Sequence, residues 1–171
     1  MNMDILEKAR AFAAEKHKDK RRKYSDQPYF NHLQSVANRI QGNGTTDPTV
    51  LAAAYLHDTV EDTDTSMKEV IEEFGADIAE LVYWLTDAEH GNREARNLIS
   101  SWRLARAPMQ AKIIKFADII DNAISISEHD PGFFKIWAAE KRAILTRMLE
   151  FEGSSLYEHN LFQQAWKNLD P

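Results

Sequence analysis

The chain has 171 residues, 43% of them hydrophobic and 28% charged, with a formal net charge of −6. That suits a single domain with a core large enough to stand without staples, and it speaks against broad nucleic-acid binding, which needs a dominant basic surface. There is no cysteine, which excludes disulfides, zinc–thiolate sites and cysteine nucleophiles and leaves histidines and carboxylates as the available metal ligands.

Met1 to Ala14 is amphipathic and carries Asp4, Glu7, Lys8 and Arg10, so it does not read as a signal peptide. No apolar run approaches the ~18 residues of a membrane span. A cytoplasmic protein with no membrane and no nucleic-acid partner is the expectation. The basic run from Lys16 to Lys23 is read equally well as a solvated face or as a ligand contact.

The pattern is helix after helix. Met3 to His17 repeats apolar residues at Ile5, Leu6, Ala9, Phe12 and Ala13, one buried helical face. A turn at Tyr24–Pro28 follows, with room for a small β-hairpin near Lys20–Tyr29. The next helix runs from about Tyr29 to Ile40, ended by Gly42-Asn43-Gly44, residues that tolerate the left-handed cap.

Asp47-Pro48 opens a third helix, an N-cap acceptor followed by proline, running to about Val60 and almost wholly apolar until His57. Ser66 with Glu69 fits a capping box and starts a helix to Phe74. After Gly75, helices are predicted over residues 76–86, 92–105, 109–126, 131–151 and 155–168, with Asp130-Pro131 repeating the cap-plus-proline start. There is no internal repeat or long linker. One all-α domain over residues 1–171 is therefore expected.

The chemistry centres on His57-Asp58-Thr59-Val60-Glu61-Asp62. Glu61 lies one helical turn beyond His57 and Asp62 one turn beyond Asp58, which predicts four polar groups stacked on one side. Burying three carboxylates and an imidazole together is costly unless a cation joins them. Taken alone, the six residues fit equally well a helix that ends in solvent with an acidic loop. His32 interrupts an otherwise apolar face made by Leu33, Val36, Ala37 and Ile40, and Asp118 interrupts the apolar run from Ile113 to Ile120. A buried aspartate requires a partner. Asn122 and Ser125 extend its polar stripe. His17, His90, His129 and His159 read as surface or structural, and Trp84, Trp102, Trp137 and Trp166 as buried or half-buried helix positions.

The order His, His-Asp, Asp resembles the signature of the HD superfamily of metal phosphohydrolases. The flanking residues resemble the (p)ppGpp hydrolase domain of the RelA/SpoT group, and most of all its stand-alone small alarmone hydrolases. The stretches that carry the resemblance are Arg21-Arg22-Lys23, Pro28 to His32, Leu51 to Thr63, Phe74-Gly75 with Leu81-Val82, and Lys115 to Asp118 with Asn122, over roughly residues 3–150.

The resemblance implies an HD-type helical bundle with His32, His57, Asp58 and Asp118 holding one divalent ion, manganese by family analogy. Glu61 and Asp62 match the catalytic acidic pair that orients and deprotonates water. Arg22 and Lys23 match the nucleotide-contacting basic pair, and Asn122 and Ser125 match positions lining the nucleoside pocket. The implied reaction removes the 3′-pyrophosphate of ppGpp or pppGpp, giving GDP or GTP, as in the stringent response, and hydrolysis without synthesis is expected. The chain departs from the pattern at Leu33, at Ser25-Asp26-Gln27, at Ile119 and at Asp121. Those departures surround the nucleotide pocket and keep a second substrate class open: a deoxynucleotide, NADPH or a nucleoside monophosphate. A non-catalytic helical binding module is the third reading, against which intact Glu61 and Asp62 speak.

Overall fold

The computed structural model describes residues 4–87 and 90–170. It is all-α, with ten α-helices and one 3₁₀ turn among the described residues. Two compact units divide it, Met1–Thr86 and Asp87–Pro171. No described helix is long and apolar enough to cross a membrane.

In the first unit, α1 (Ile5–Lys16), α2 (Phe30–Gly42) and α6 (Ala76–Leu85) surround α3 (Pro48–Leu56). Met3, where the first helix was expected to begin, lies outside the described residues. Every residue of α3 from Val50 to Leu56 is buried, as its apolar sequence on all sides requires. Its start is the predicted one: the Asp47 side chain accepts from the Thr49 amide at 2.9 Å, ahead of Pro48. The loop before α3 differs in detail. α2 continues through Gly42, Asn43 stays at negative φ, and Gly44 alone takes the left-handed position at φ +94°.

The expected continuous helix from Thr49 to Val60 is broken. α3 stops at Leu56, His57 and Asp58 form the junction, and a single turn, α4 (Thr59–Asp62), follows. Ser66 caps α5 (Met67–Phe74) by accepting from the Glu69 amide at 3.1 Å. Gly75, at φ +84°, turns the chain directly into α6, a backbone that a side chain would strain. The possible hairpin near Lys20–Tyr29 shrinks to one antiparallel bridge, Arg21 with Pro28. Proline has no amide hydrogen to extend the ladder.

The second unit packs α7 (Arg93–Arg106) on α9 (Pro131–Glu152), and α8 (Met109–His129) on α9 and α10 (Asn160–Asn168). Asn92 and Asp130 cap α7 and α9, accepting from the amides of Ala95 and Phe133. The predicted helix from Ser155 is divided into a 3₁₀ turn (Ser154–Glu158) and α10. Lys112 is fully buried on α8 and pairs with Glu152 at the end of α9. Trp137 is buried as expected, but Trp102 is 43% exposed, held at the surface under the guanidinium groups of Arg147 and Arg106.

Candidate metal centre

Three segments of the first unit converge. His32 sits on the buried face of α2 with Leu33, Val36, Ala37 and Ile40. His57 ends α3, and Asp58 starts α4. The Nε2 atoms of His57 and His32 lie 3.1 and 3.5 Å from the same oxygen, Oδ2 of Asp58. Both imidazoles are 2% exposed, and their ring centroids are 5.3 Å apart. Tyr29 donates its hydroxyl to that same oxygen at 2.6 Å.

The geometry tests the cation directly. His57 Nδ1 lies 2.8 Å from the Ala54 carbonyl, and a carbonyl only accepts, so Nδ1 carries the hydrogen. A neutral His57 then turns the lone pair of Nε2 toward a carboxylate oxygen that is itself an acceptor. Two acceptors at contact distance need a positive charge between them, either a proton or a metal ion. The donor set of two imidazole nitrogens and carboxylate oxygen, without sulfur, fits a borderline or hard divalent ion. Burial opposes the charge on Asp58, but the His57 and His32 imidazoles outweigh it and hold the carboxyl well below the usual carboxylate range.

The acidic pair does not stack as its spacing suggested. Because the helix breaks at His57, Glu61 is exposed, while Asp62 is 26% exposed. The clustered set is two buried histidines with one half-buried carboxylate, rather than one histidine with three buried carboxylates. Asp62 keeps its register with Asp58 through its amide, which donates to the Asp58 carbonyl at 2.9 Å, and it pairs with Lys20.

The basic pair lies on the turn between α1 and α2. Arg22 is half-buried, with its amide donating to the Gln27 carbonyl at 2.8 Å, and Lys23 is exposed with its ammonium 4.9 Å from the Tyr24 ring. Asp26 adopts φ +52°, a left-handed position that aspartate tolerates better than most residues other than glycine. The rest of the basic run is largely neutralised: Lys16 bridges Asp64 and Glu69, and Lys18 pairs with Glu15.

Asp118 belongs to the second unit, on α8, and is 6% exposed. Its partners are Lys115, which donates to Oδ2 at 2.8 Å, and Asn122, which donates to Oδ1 at 2.6 Å. Ser125 is half-buried one turn on, and its carbonyl lies 2.8 Å from His129 Nδ1. On α9, burial pushes the Lys141 ammonium down from its ordinary value, with Lys115 adding to the effect and Asp118, Asp87 and Glu140 opposing it. Of the departures from the family pattern, Ile119 and Leu33 are fully buried core residues, and Asp121 is half-buried.

Sequence reasoning missed two residues. Tyr29 stands three before His32, a helical spacing that could have marked it. Lys20 carried no local signal toward Asp62. His17, read as surface or structural, is structural. His17 is 1% exposed, its Nδ1 lies 2.9 Å from the Ala13 carbonyl, and its ring stacks on Tyr29 at 5.2 Å.

Comparison with known proteins agrees with this geometry. Residues 9–144 match the HD domain family. The chain is 40% identical over 129 residues to the guanosine-3′,5′-bis(diphosphate) 3′-pyrophosphohydrolase MESH1 of Xenopus tropicalis, covering 74% of this chain and 72% of that protein. It is 38% identical over 145 residues to the human MESH1 enzyme, covering 79% and 81%. A solved structure of a metazoan ortholog of SpoT that hydrolyses ppGpp superposes with a TM-score of 0.84 at 27% identity, covering 99% of this chain and 95% of that one. An HD domain implies a divalent metal, which the His32, His57 and Asp58 donors suit. The chain belongs to the HD-domain family, among the relatives of MESH1.

Proposed function

We propose that this protein is a metal-dependent 3′-pyrophosphohydrolase of ppGpp and pppGpp, built as one HD domain over residues 1–171. The observation that carries the reading is the convergence of His32 and His57 on Asp58 beside Asp62, in a chain whose relatives are guanosine-3′,5′-bis(diphosphate) 3′-pyrophosphohydrolases. The family match runs across both compact units, which supports a single domain. With a nucleotide as substrate and a net charge of −6, the expected setting is the cytoplasm, without a nucleic-acid or membrane partner.

In this reading, which the family resemblance supplies, His32, His57, Asp58 and Asp118 would hold the ion, manganese by family analogy. When bound it would supply Lewis acidity, screening phosphoryl charge and easing the deprotonation of water. His57 is fixed for this by the Ala54 carbonyl, and Asp58 by the Tyr29 hydroxyl; such outer partners set the orientation of ligands. Glu61 and Asp62 orient the attacking water and accept its proton, so that water adds to the phosphorus of the 3′-pyrophosphate and the nucleoside 3′-oxygen leaves. Arg22 stacks on the guanine, and Arg22 and Lys23 meet phosphates. Asn122 and Ser125 line the nucleoside pocket. The products are pyrophosphate with GDP or GTP.

Chromatography of products tests this. Metal-stripped protein is mixed with ppGpp, with and without Mn²⁺. Manganese-dependent GDP and pyrophosphate, lost in His57→Ala, are expected. No turnover with metal bound by calorimetry would refute the alarmone substrate. Orthophosphate released instead from a deoxynucleotide, NADPH or a nucleoside monophosphate would assign the same site to that class.

A further inference from the structure

Asp62 lies at the end of α4, a helix of four residues with no side-chain cap, followed by extended backbone at Thr63. One turn of helix has little stability of its own. Local bonds steady its backbone: the Thr63 hydroxyl donates to the Thr59 carbonyl at 2.6 Å and accepts from the Thr65 hydroxyl at 2.9 Å. None of these aims the Asp62 carboxylate. What grips it is the Lys20 ammonium, brought from the far end of the turn after α1.

Lys20 is itself unusually well placed for a lysine in a basic run. Its ammonium sits 4.6 Å from the centroid of the Tyr29 ring. Its backbone is bonded on both sides, its amide donating to the His17 carbonyl and its carbonyl accepting from the Tyr29 amide, each at 2.9 Å. Tyr29 is in turn stacked on the buried His17 ring and donates its hydroxyl to Asp58. The cation, the ring and the two carboxylates therefore form one connected set. Tyr29 carries Asp58 on its hydroxyl and Lys20 on its face, and Lys20 carries Asp62.

We propose that Lys20 is a positioning residue: it holds the Asp62 carboxylate in register with Asp58, so that the proton acceptor and the metal ligand keep a constant separation. This rests on the catalytic reading of Asp62 given above. A lysine is suited to the task because its compact ammonium leaves the second carboxylate oxygen accessible, where a guanidinium fork would take both. At 35% and 26% exposure the pair is open enough to solvent that it adds little to stability, which points to placement rather than strength as its contribution.

The test is a kinetic double-mutant cycle with crystal structures. Lys20→Met, with Lys20→Gln as a second neutral variant, is expected to lower kcat by about 10- to 100-fold, the scale of a misplaced catalytic group, with KM for the nucleotide unchanged. Lys20→Arg restores only part of the loss, because its fork engages both carboxylate oxygens. In an Asp62→Asn background, Lys20→Met has no further effect, because the group it positions is gone. Crystal structures of the wild type and Lys20→Met should show the Asp62 carboxylate in one conformer with the lysine and displaced without it. A rise in KM at constant kcat would overturn the proposal, making Lys20 a substrate contact; so would multiplicative losses in the double variant, or an Asp62 side chain unmoved in Lys20→Met. Failure of the wild type to turn over ppGpp counts against the substrate reading alone. The cycle is then run on whichever nucleotide the panel identifies, and the crystal structures decide Lys20 on their own.

Discussion

Replacing Tyr29 with phenylalanine removes one hydroxyl from the His32–His57–Asp58 cluster and leaves the ring that stacks on His17. The lost interaction is a 2.6 Å hydrogen bond to Asp58 Oδ2, a carboxylate held ionised by its two imidazoles. Hydrogen bonds to charged groups contribute about 1.5–3 kcal/mol, and with Asp58 still 19% exposed the lower half, about 1.5–2 kcal/mol, applies here. For a chain of this length each kcal/mol moves Tm by about 2–4 °C, so calorimetry of the metal-free protein should show a fall of about 3–8 °C. The second consequence is on the ion. Losing a partner that orients a ligand weakens metal binding by about 10- to 100-fold, which isothermal titration with Mn²⁺ measures without reference to any substrate. A Tyr29→Phe protein with Tm within about 1 °C of wild type and metal affinity within about twofold would refute the reasoning. It would mean that Asp58 is placed by backbone alone.

Three more tests follow from buried charge and burial. Asp118→Ala removes the carboxylate that accepts from both Lys115 and Asn122, and should cost about 3 kcal/mol in urea denaturation as well as abolishing metal-dependent turnover. Lys112 and Glu152 separate the value of an ion pair from the penalty of breaking one: with Lys112 fully buried and Glu152 29% exposed, Lys112→Met should be neutral within about 1 kcal/mol or stabilising, whereas Glu152→Gln should destabilise by about 3 kcal/mol. Equal losses from the two would contradict this. Burial pushes the His17 imidazole down from its ordinary value, outweighing the Ala13 hydrogen bond and the Asp58 charge. The unfolded chain therefore takes up the proton first as pH falls, so this site subtracts stability below the ordinary histidine range and nothing above it. Urea midpoints at about pH 7.5 and about pH 5.5 should differ less in His17→Gln than in wild type, with His159, also lowered by burial, keeping some slope in both.

The helices and their ends were legible because the signals that specify them are local. Asp47-Pro48, Ser66 and Asp130 each cap a helix where their residue types predict it, since a side chain reaching a backbone amide two or three residues on needs no tertiary partner. His32 and Asp118 stood out for a related reason: each breaks a run of apolar residues that must be buried, so its own burial followed from its neighbours. Periodicity failed at the His57–Asp58 junction. Extrapolating one helix through it put Glu61 in the buried set, and the break leaves that residue exposed. His57 keeps helical angles, while Asp58 leaves them at φ −99°, ψ −2°, and neither a proline nor a glycine marks that departure in the sequence.

By itself, then, the sequence determined an all-helical chain, the caps that divide it, the burial of His32, His57 and Asp118, and the metal-compatible chemistry of those residues. Tertiary structure alone decided which groups touch: Tyr29 on Asp58, Lys20 on Asp62, His17 beneath the Tyr29 ring, Lys112 on Glu152. The physical reason is range. Caps and helical faces depend on residues within a turn of each other, whereas these contacts join residues 12 to 42 positions apart, and only the packing of whole helices brings them within reach.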